Sequence, residues 1–412
     1  MPSTPATELA QEVLDSCLYD GTWPARALNT LIERALDVSE PFIAQAASKA
    51  LFGIVIERLG DLFEPALCDV YARLFSYVIS RALPAYDADE LLIRYGQIRQ
   101  LRCFPGGEVK RVLVLSRVTL GADVAVTSVA LAAAKERFPN AEICLLGPQK
   151  NAELFEADSR IGSIPIVYER SGLLLDRLVA ATELQSIADE AGTIVIDPDS
   201  RLTQLGLIPI CEDARYYFFE SRAFGGELDS SLPQLTAEWV RETFDSEGAR
   251  PYVEPAPQQR IADITVSFGV GGNAAKRVDG DFEFAVLKAL LRRRRPVLLD
   301  RGAGEEEAAR VNALVERLGA PELLHVHDGS YASFASHIVQ SRLYVGYDSA
   351  GQHVAAAAGV PLVSIFGGYA CERMLARWRP TAPQARVVAI DEANRDFALE
   401  RALCAIEAAG AV

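Results

Sequence analysis

Asp348, Ser349 and His353 are the side chains in this sequence best placed to hold an anionic ligand. Asp348 and Ser349 can cap a helix or bond a ligand hydroxyl, and His353 falls in the first turn of the helix that follows. Ala350 and Gly351 are small enough to let a ligand reach the N–H groups of a helix N-terminus, where partial positive charge favours a phosphate. The spacing predicts a phosphate-binding turn. An ordinary α/β unit, with Asp348 as a cap and His353 as an exposed polar residue, has the same pattern.

Apolar strands are predicted on both sides of this turn. Residues 343–346 precede it, and residues 362–366 follow an alanine-rich helix that ends at Gly359 and Pro361. Both strands are apolar throughout, which is typical of a parallel sheet covered on both faces. The stretch is therefore a strand–turn–helix–strand unit of an α/β fold.

A second candidate anion site follows the strand predicted near residue 264. Glycines at 269, 271 and 272 let backbone N–H groups approach an anion. Lys276 and Arg277 place positive charge beside Gly271 and Gly272. A solvated loop with two ordinary basic residues is the alternative interpretation.

A strand–helix–strand unit also opens the α/β part of the chain at residue 109. The apolar run 109–117 predicts a strand, 118–123 a loop, 124–138 a helix and 141–147 the next strand. No G-x-G-x-x-G follows the first strand, so a dinucleotide-binding fingerprint is not supported. The aromatic run 216–219 could stack on sugar rings, but its β-propensity favours a buried strand.

Three stretches resemble signatures of glycosyltransferase family 9, the heptosyltransferase-like enzymes. The pattern D-[ST]-[GA]-x-x-H-x-A-A-A-x-G-x-P, followed by a strand ending Phe-Gly, is met by Asp348, Ser349, Ala350, His353, Ala355, Ala356, Ala357, Gly359, Pro361, Phe366 and Gly367. Arg117, Asp123 and the Arg-Phe-Pro at 137–139 keep the family's spacing, although Ala122 separates Gly121 from Asp123 where the family has them adjacent. The Lys-Arg pair at 276–277 also matches, but the Trp-Pro that usually follows it is replaced by Val-Asp. The resemblance covers roughly residues 109–395.

This resemblance implies a GT-B fold, in which two Rossmann-like domains face a cleft and bind a nucleotide-diphosphate sugar between them. It assigns the donor to Gly271, Gly272, Lys276, Arg277, Asp348, Ser349, Ala350, Gly351 and His353. It assigns the catalytic base to Asp123 and the acceptor side to Arg117 and Gly121. The implied reaction is inverting transfer without a metal or other cofactor, because protein groups neutralise the leaving diphosphate.

The identities of donor and acceptor are open within this family. ADP-heptose is the default donor that the resemblance implies, and the acceptor is a hydroxyl of a glycan, a lipopolysaccharide-type lipid core or a protein. A nucleotide-sugar epimerase or hydrolase on the same fold is one alternative function. A non-catalytic scaffold of transferase ancestry is another, favoured by the displaced aspartate and the missing Trp-Pro.

The first hundred residues differ from the rest because only helical periodicity is found there. We expect an α/β protein of GT-B type with an extra N-terminal all-α domain at 1–105. An acceptor-side domain is expected at 106–255 and a donor domain at 256–412, with a C-terminal helix that can cross back to the first. The helical region fits a cap on the first Rossmann domain as well as a docking or oligomerisation module.

Composition limits the compartment and the partners. Half of the 412 residues are hydrophobic and the net charge is −15, which argues against nucleic-acid binding. The seven cysteines contain no C-x-x-C pair, as in a reduced cytoplasmic protein. No signal-peptide pattern or membrane-length apolar run is present, so a cytoplasmic location is expected, with peripheral membrane contact left open.

Overall fold

Two fully parallel sheets form the α/β part of the chain. The computed structural model describes residues 4–271 and 273–409, so Gly272, a predicted donor-binding residue, lies outside the described residues. The strands are β1 Arg111–Leu115, β2 Glu142–Gly147, β3 Ile161–Pro165, β4 Thr193–Asp197, β5 Tyr216–Phe218, β6 Ile264–Ser267, β7 Val297–Asp300, β8 Leu324–His327, β9 Leu343–Tyr347, β10 Leu362–Gly367 and β11 Ala385–Ile390. The first sheet has the order β3-β2-β1-β4-β5 and the second β11-β10-β9-β6-β7-β8.

Both sheets have Rossmann-type strand order, and this order determines where ligands can bind. In the first sheet β1 pairs with β2 and β4, and in the second β6 pairs with β7 and β9. The order reverses between β1 and β4 and between β6 and β9, and ligands bind beyond the carboxyl ends of strands at such switch points. The segments after these four strands are therefore the places to look for a site.

In the part of the chain that the structure describes, six helices precede the first strand. They are α1 Ala6–Asp20, α2 Ala25–Leu36, α3 Pro41–Ala50, α4 Glu57–Asp61, α5 Pro65–Ala82 and α6 Ala88–Ile98, and a π-helical turn, Leu51–Ile56, joins α3 to α4. Gly21 ends α1 in the left-handed conformation, and the Asp87 carboxylate caps α6 by accepting from two backbone N–H groups. The helical N-terminal region predicted from periodicity is confirmed.

This helical bundle covers one face of the first sheet and shares its core. Leu74 and Phe75 of α5 belong to the same buried apolar cluster as Leu113 of β1 and Val195 of β4. The Tyr95 hydroxyl of α6 also donates to the buried Glu220 carboxylate of the first domain at 2.6 Å. The bundle is therefore packed as a cap on the first Rossmann domain. A docking or oligomerisation role stays a prediction.

The remaining helices connect the strands and cover the sheets. They are α7 Leu120–Ala122, α8 Ser128–Arg137, α9 Gln149–Ala152, α10 Leu174–Ala188, α11 Leu232–Phe244, α12 Gly280–Leu291, α13 Glu305–Arg317, α14 Tyr331–Val339, α15 Ala350–Ala357, α16 Glu372–Trp378 and α17 Ala398–Ala409. The buried strand expected at 216–219 is present over Tyr216–Phe218 as β5. The predicted domain boundaries at 105/106 and 255/256 fall between elements, and their exact positions stay predictions.

The helix after β1 begins earlier than the sequence pattern predicted. Residues 118–123 were expected to be a loop, but α7 begins at Leu120 and continues through a π-helical turn, Asp123–Thr127, into α8. The N–H of Asp123 donates to the carbonyl of Thr119 at 3.0 Å, which closes the first helical turn. Asp123 therefore lies inside a helix rather than on an exposed loop.

The two Rossmann domains are joined by an apolar interface and by α16. Val124, at the start of the first-domain helix, shares a buried cluster with Val354 and Ala355 of α15. Arg377 of α16 is 1% exposed and donates to the carbonyls of Leu228 and Ser230, each at 2.6 Å. The C-terminal helix α17 was considered able to cross back to the first domain. Its described part packs on the second sheet, and α16 contacts the first domain. Within 4–271 and 273–409, no helix combines the length and apolarity needed to span a membrane.

Candidate functional site

An ion pair joins the two switch-point strands of the second sheet. Lys276 lies in the 3-10 turn Ala274–Lys276 after β6, and its Nζ is 2.7 Å from Asp348 Oδ2, just after β9. The amide of Gln352 donates to the other Asp348 oxygen at 2.5 Å. Asp348 therefore holds Lys276 and α15 together instead of capping the helix. The two anion-site segments predicted separately from the sequence meet here.

His353 is buried beside this ion pair rather than exposed. It is 5% exposed and its ring packs against Trp378 of α16 with centroids 5.7 Å apart. The pKa of His353 is lowered from 6.5 to about 4, mainly by burial; Asp348 opposes this shift and Lys276 adds to it. His353 is consequently neutral at physiological pH, so its imidazole acts by hydrogen bonding and not as a cation.

The N-terminus of α15 lies directly against the first domain. Ser349 occupies the N-cap position, but its side chain makes no capping hydrogen bond. A Cβ built on Gly121 of α7 would lie 3.2 Å from Ala350 Cα and 3.2 Å from His353 Cδ2. Glycine at 121 thus permits close approach of the two domains at the predicted donor and acceptor residues. A Cβ on Gly351 would lie 2.1 Å from the Tyr344 hydroxyl, so this position also excludes a side chain.

Arg277 points away from Lys276. Its guanidinium is 2.7 Å from Glu306 Oε1 and 3.4 Å from Glu307 Oε1, at the acidic start of α13. Lys276 ends a 3-10 turn and Arg277 is extended, which sends the two side chains in different directions. The basic pair predicted from the sequence is therefore split. Donor binding by Arg277 stays a prediction.

The glycine turn after β6 is partly occupied by a side chain. Glu307 accepts from the N–H of Val270 at 2.9 Å. Gly271 has φ +60°, a conformation that favours glycine, and a Cβ there would meet nothing within 4 Å. One N–H group of the turn is thus already bonded to a carboxylate, and anion binding at Gly271 stays a prediction.

Asp123, the predicted base, is completely buried. Its exposure is 0%, and its two oxygens accept four hydrogen bonds, from the N–H of Arg117 at 2.7 Å, Thr127 Oγ1 at 2.6 Å, and Ser116 Oγ and Asn151 Nδ2 at 2.5 Å each. Burial raises the pKa of Asp123 against these hydrogen bonds, which lower it. Neither oxygen is open to an acceptor hydroxyl in this arrangement. The geometry is that of a carboxylate that fixes the turn between β1 and α7.

A cavity of about 200 Å³ lies where the helical bundle and both Rossmann domains meet. We call it the cationic cavity, because its walls include Arg117, Arg170, Arg177, Arg201, Arg222 and Lys276 against only Glu57, Asp61 and Asp199. Six basic and three acidic side chains give it a formal excess of three positive charges, in a chain with net charge −15. Sequence reasoning found Arg117 and Lys276 but missed the other arginines.

The loops that shape the cationic cavity hold strained backbone. Val118 and Asp199 both line it, and they have φ +71° and +70°, values that are rare for residues other than glycine. Arg117 Nη1 donates to the carbonyl of Pro198 at 2.7 Å and to Ser221 Oγ at 2.5 Å, which ties the loop after β1 to the loop after β4. Strained conformations persist where the surroundings over-determine them, and they cluster at ligand sites.

Comparisons with known proteins agree with this arrangement. Residues 271–403 match the model of Glycosyltransferase family 9 (heptosyltransferase). A family 9 glycosyl transferase from Veillonella parvula DSM 2008 superposes with a TM-score of 0.54 at 17% identity, over 74% of this chain and 98% of that one. E. coli ADP-heptose lps heptosyltransferase II superposes with a TM-score of 0.52 at 16% identity, over 73% of this chain and 98% of that one. E. coli heptosyltransferase WaaC with ADP superposes with a TM-score of 0.50 at 14% identity, over 71% of this chain and 99% of that one.

A search of curated protein sequences found no match. At these identities the solved structures establish the fold, and the family model covers residues 271–403 of the chain. Residues 271–403 are therefore a glycosyltransferase family 9 domain within a GT-B fold, which confirms the family, the fold class and the glycosyltransferase assignment predicted from the sequence.

Proposed function

We propose that this protein transfers a sugar from a nucleotide-diphosphate donor to an acceptor hydroxyl, with inversion at the transferred carbon. The observation that carries the proposal is the Lys276–Asp348 pair, because it sets a cation at the switch point of the second sheet and on the wall of the cationic cavity. The neighbouring N-terminus of α15 supplies backbone N–H groups at the same place. ADP-heptose is the proposed donor, since two of the similar structures are E. coli heptosyltransferases and one of them contains ADP.

In the proposed reaction, negative charge accumulates on the leaving diphosphate as the bond to the sugar breaks. Lys276 is the group best placed to stabilise this charge, because Asp348 already holds its ammonium in position and little reorganisation is required. Neutral His353 adds a hydrogen-bonding group without a second positive charge. The close contact at Gly121 brings the two domains together over the site, which limits the access of water as a competing nucleophile.

For the group that removes the proton from the acceptor hydroxyl, the family resemblance and the geometry of the site point to different roles of Asp123. The resemblance assigns proton removal to Asp123, and we keep that residue as the proposed base to be tested. Its four hydrogen bonds and complete burial support a positioning role, in which it fixes the turn that presents Arg117 to the cationic cavity. The acceptor is proposed to be a hydroxyl of a glycan, a lipid core or a protein.

The test is whether nucleotide release depends on an acceptor. The full chain is mixed with a panel of nucleotide sugars that includes ADP-heptose, with and without glycan, lipid-core and peptide acceptors, and free nucleotide is measured. We expect release only with an acceptor, and an inverted anomeric configuration in the product by NMR. Release or epimerisation without an acceptor would favour the epimerase or hydrolase alternative. Failure to bind any nucleoside diphosphate would leave the scaffold alternative.

A further inference from the structure

The helical bundle supplies one wall of the cationic cavity. Phe52, Glu57 and Asp61 all line it, and they come from the π-helical turn and α4. Isolated π-helical turns are uncommon and occur frequently at functional sites. Phe52 is 2% exposed, and the guanidinium carbon of Arg177 lies 3.8 Å from the centroid of its ring. The bundle therefore fixes the position of an arginine that belongs to the first Rossmann domain.

Most charges in the cationic cavity are paired. Arg222 is 2.6 Å from Asp199 and 3.7 Å from Asp61, Arg117 is 3.6 Å from Asp199, and Arg170 is 3.5 Å from Glu57. Lys276 is held by Asp348. Each acidic side chain of the wall thus already faces at least one arginine.

Arg177 and Arg201 are the exceptions. Within the described ranges, neither guanidinium has a carboxylate oxygen within 4.0 Å. Arg177 is 5% exposed, and its Nη2 donates to the carbonyl of Arg170. Among the described residues, Arg177 Nε and Arg201 Nη1 are buried and have no hydrogen-bond partner. A buried cation without a counter-charge is costly, and an unsatisfied buried donor adds to that cost. An anion bound in the cationic cavity, which both side chains line, would offset both costs.

We propose that the N-terminal helices form part of the acceptor site, and that Arg177 and Arg201 there bind an oxyanion of the acceptor, a phosphate or a carboxylate. This inference rests on the proposed transfer reaction. Guanidinium groups match phosphate and carboxylate geometry, and Arg177 is oriented by its stack on Phe52. The volume of about 200 Å³ admits one charged end group and not a whole glycan. The bundle thereby selects acceptors by charge.

The first test uses inorganic phosphate and acetate as probes. Each is titrated calorimetrically into the full chain saturated with ADP, so that the donor site is already filled. We expect phosphate or acetate to bind, and Arg201→Gln or Phe52→Leu to weaken that binding about tenfold or more, as for loss of a charged hydrogen bond or of its support. Arg201→Lys keeps the charge and should retain part of the affinity. The preferred probe distinguishes a phosphate from a carboxylate.

Arg58→Gln is the matched control, because Arg58 is an exposed arginine of α4 and should leave probe and ADP binding unchanged. No binding of either probe, or binding that Arg201→Gln and Phe52→Leu leave intact, would overturn the inference. A parallel loss of ADP affinity in those two variants would also overturn it, since the cavity would then hold the donor diphosphate. If ADP does not bind at all, the proposed function fails, and the same titrations on the free chain still decide the oxyanion site.

Acceptor kinetics provide the second test. Acceptors with a phosphate or carboxylate near the reacting hydroxyl should have a lower KM than neutral counterparts. Arg201→Gln should remove that difference by raising KM about tenfold, with a smaller change in kcat. Equal KM values for charged and neutral acceptors in the wild-type protein would contradict the inference, even if transfer itself is confirmed.

Discussion

Replacing Asp123 by alanine tests the role of the most highly bonded side chain near the site. The substitution removes the acceptor of four hydrogen bonds at a position with 0% exposure. Each donor left unsatisfied costs about 1–3 kcal/mol, but hydroxyl and amide groups can find other partners and the carboxylate itself is costly to bury. We therefore expect Asp123→Ala to lower the free energy of unfolding by about 3–5 kcal/mol.

Asp123→Asn is the matched variant, because its amide has the shape of the carboxylate. Asn151 Oδ1 is buried and has no hydrogen-bond partner among the described residues, so rotating the Asn151 amide by 180° would give the new NH₂ group an acceptor. The Ser116 hydroxyl already accepts from the N–H of Val118 at 2.9 Å and can accept from the new amide as well. We expect Asp123→Asn to lose only about 1–2 kcal/mol and to keep the fold.

Urea unfolding followed by tryptophan fluorescence measures both variants, because Trp239 is buried in the core of the first domain. Wild-type stability in Asp123→Ala would refute the positioning role deduced from the four hydrogen bonds. Transfer by the folded Asp123→Asn protein then tests the base. A loss of kcat by about a hundredfold or more would support the base assignment, and near-wild-type transfer would remove it.

Three further predictions concern glycines and titrating groups. Gly121→Val should weaken donor binding and transfer by pushing the two domains apart. Gly96→Ala is the control, because a Cβ at this position of α6 would meet no described atom within 4 Å; this variant should keep activity and raise the free energy of unfolding by about 0.5–1 kcal/mol. Equal donor affinity in the two variants would contradict the close contact at Gly121. The pKa of His353 is lowered from 6.5 to about 4, so its contribution to stability is present above pH 6.5 and is lost as pH falls towards 4. His353→Gln should remove a slope of about 1.4 kcal/mol per pH unit in that window. Burial raises the pKa of Asp197 from 3.8 to about 6, so its contribution to stability is lost as pH rises from 3.8 to 6. Asp197→Asn should therefore remove a slope of stability against pH with the opposite sign. An unchanged dependence of stability on pH in the His353 or Asp197 variant would contradict the corresponding pKa shift.

The sequence pattern predicted the parts of the site that depend on strand order. Lys276 and Asp348 are 72 residues apart, yet they meet because each follows a strand beside the switch point of one sheet. The strand at 216–218 was predicted correctly because buried aromatic runs favour strands. Periodicity likewise indicated the helices before β1, since apolar residues at three-and-four spacing need a core to pack against.

What the sequence did not reveal depends on tertiary contacts. Lys276 and Arg277 are adjacent, and only the local turn and the acidic start of α13 show that they point in different directions. Asp123 was expected on a loop, but it is buried in a helix and accepts a hydrogen bond from Asn151, which is 28 residues away. Arg177 and Arg201 come from separate segments and carry no motif, so their convergence on the helical bundle could not be read from spacing.

The most direct test of the account is calorimetric titration of ADP and other nucleoside diphosphates into the wild-type protein and into Lys276→Ala. Lys288→Ala serves as the control, because Lys288 is an exposed lysine of the same domain. We predict that one nucleoside diphosphate binds the wild-type and control proteins equally, and that Lys276→Ala weakens this binding about tenfold or more, since a charged hydrogen bond to phosphate is lost. Equal affinity in Lys276→Ala, or no binding of any nucleoside diphosphate to the wild-type protein, would contradict a donor site at the Lys276–Asp348 pair.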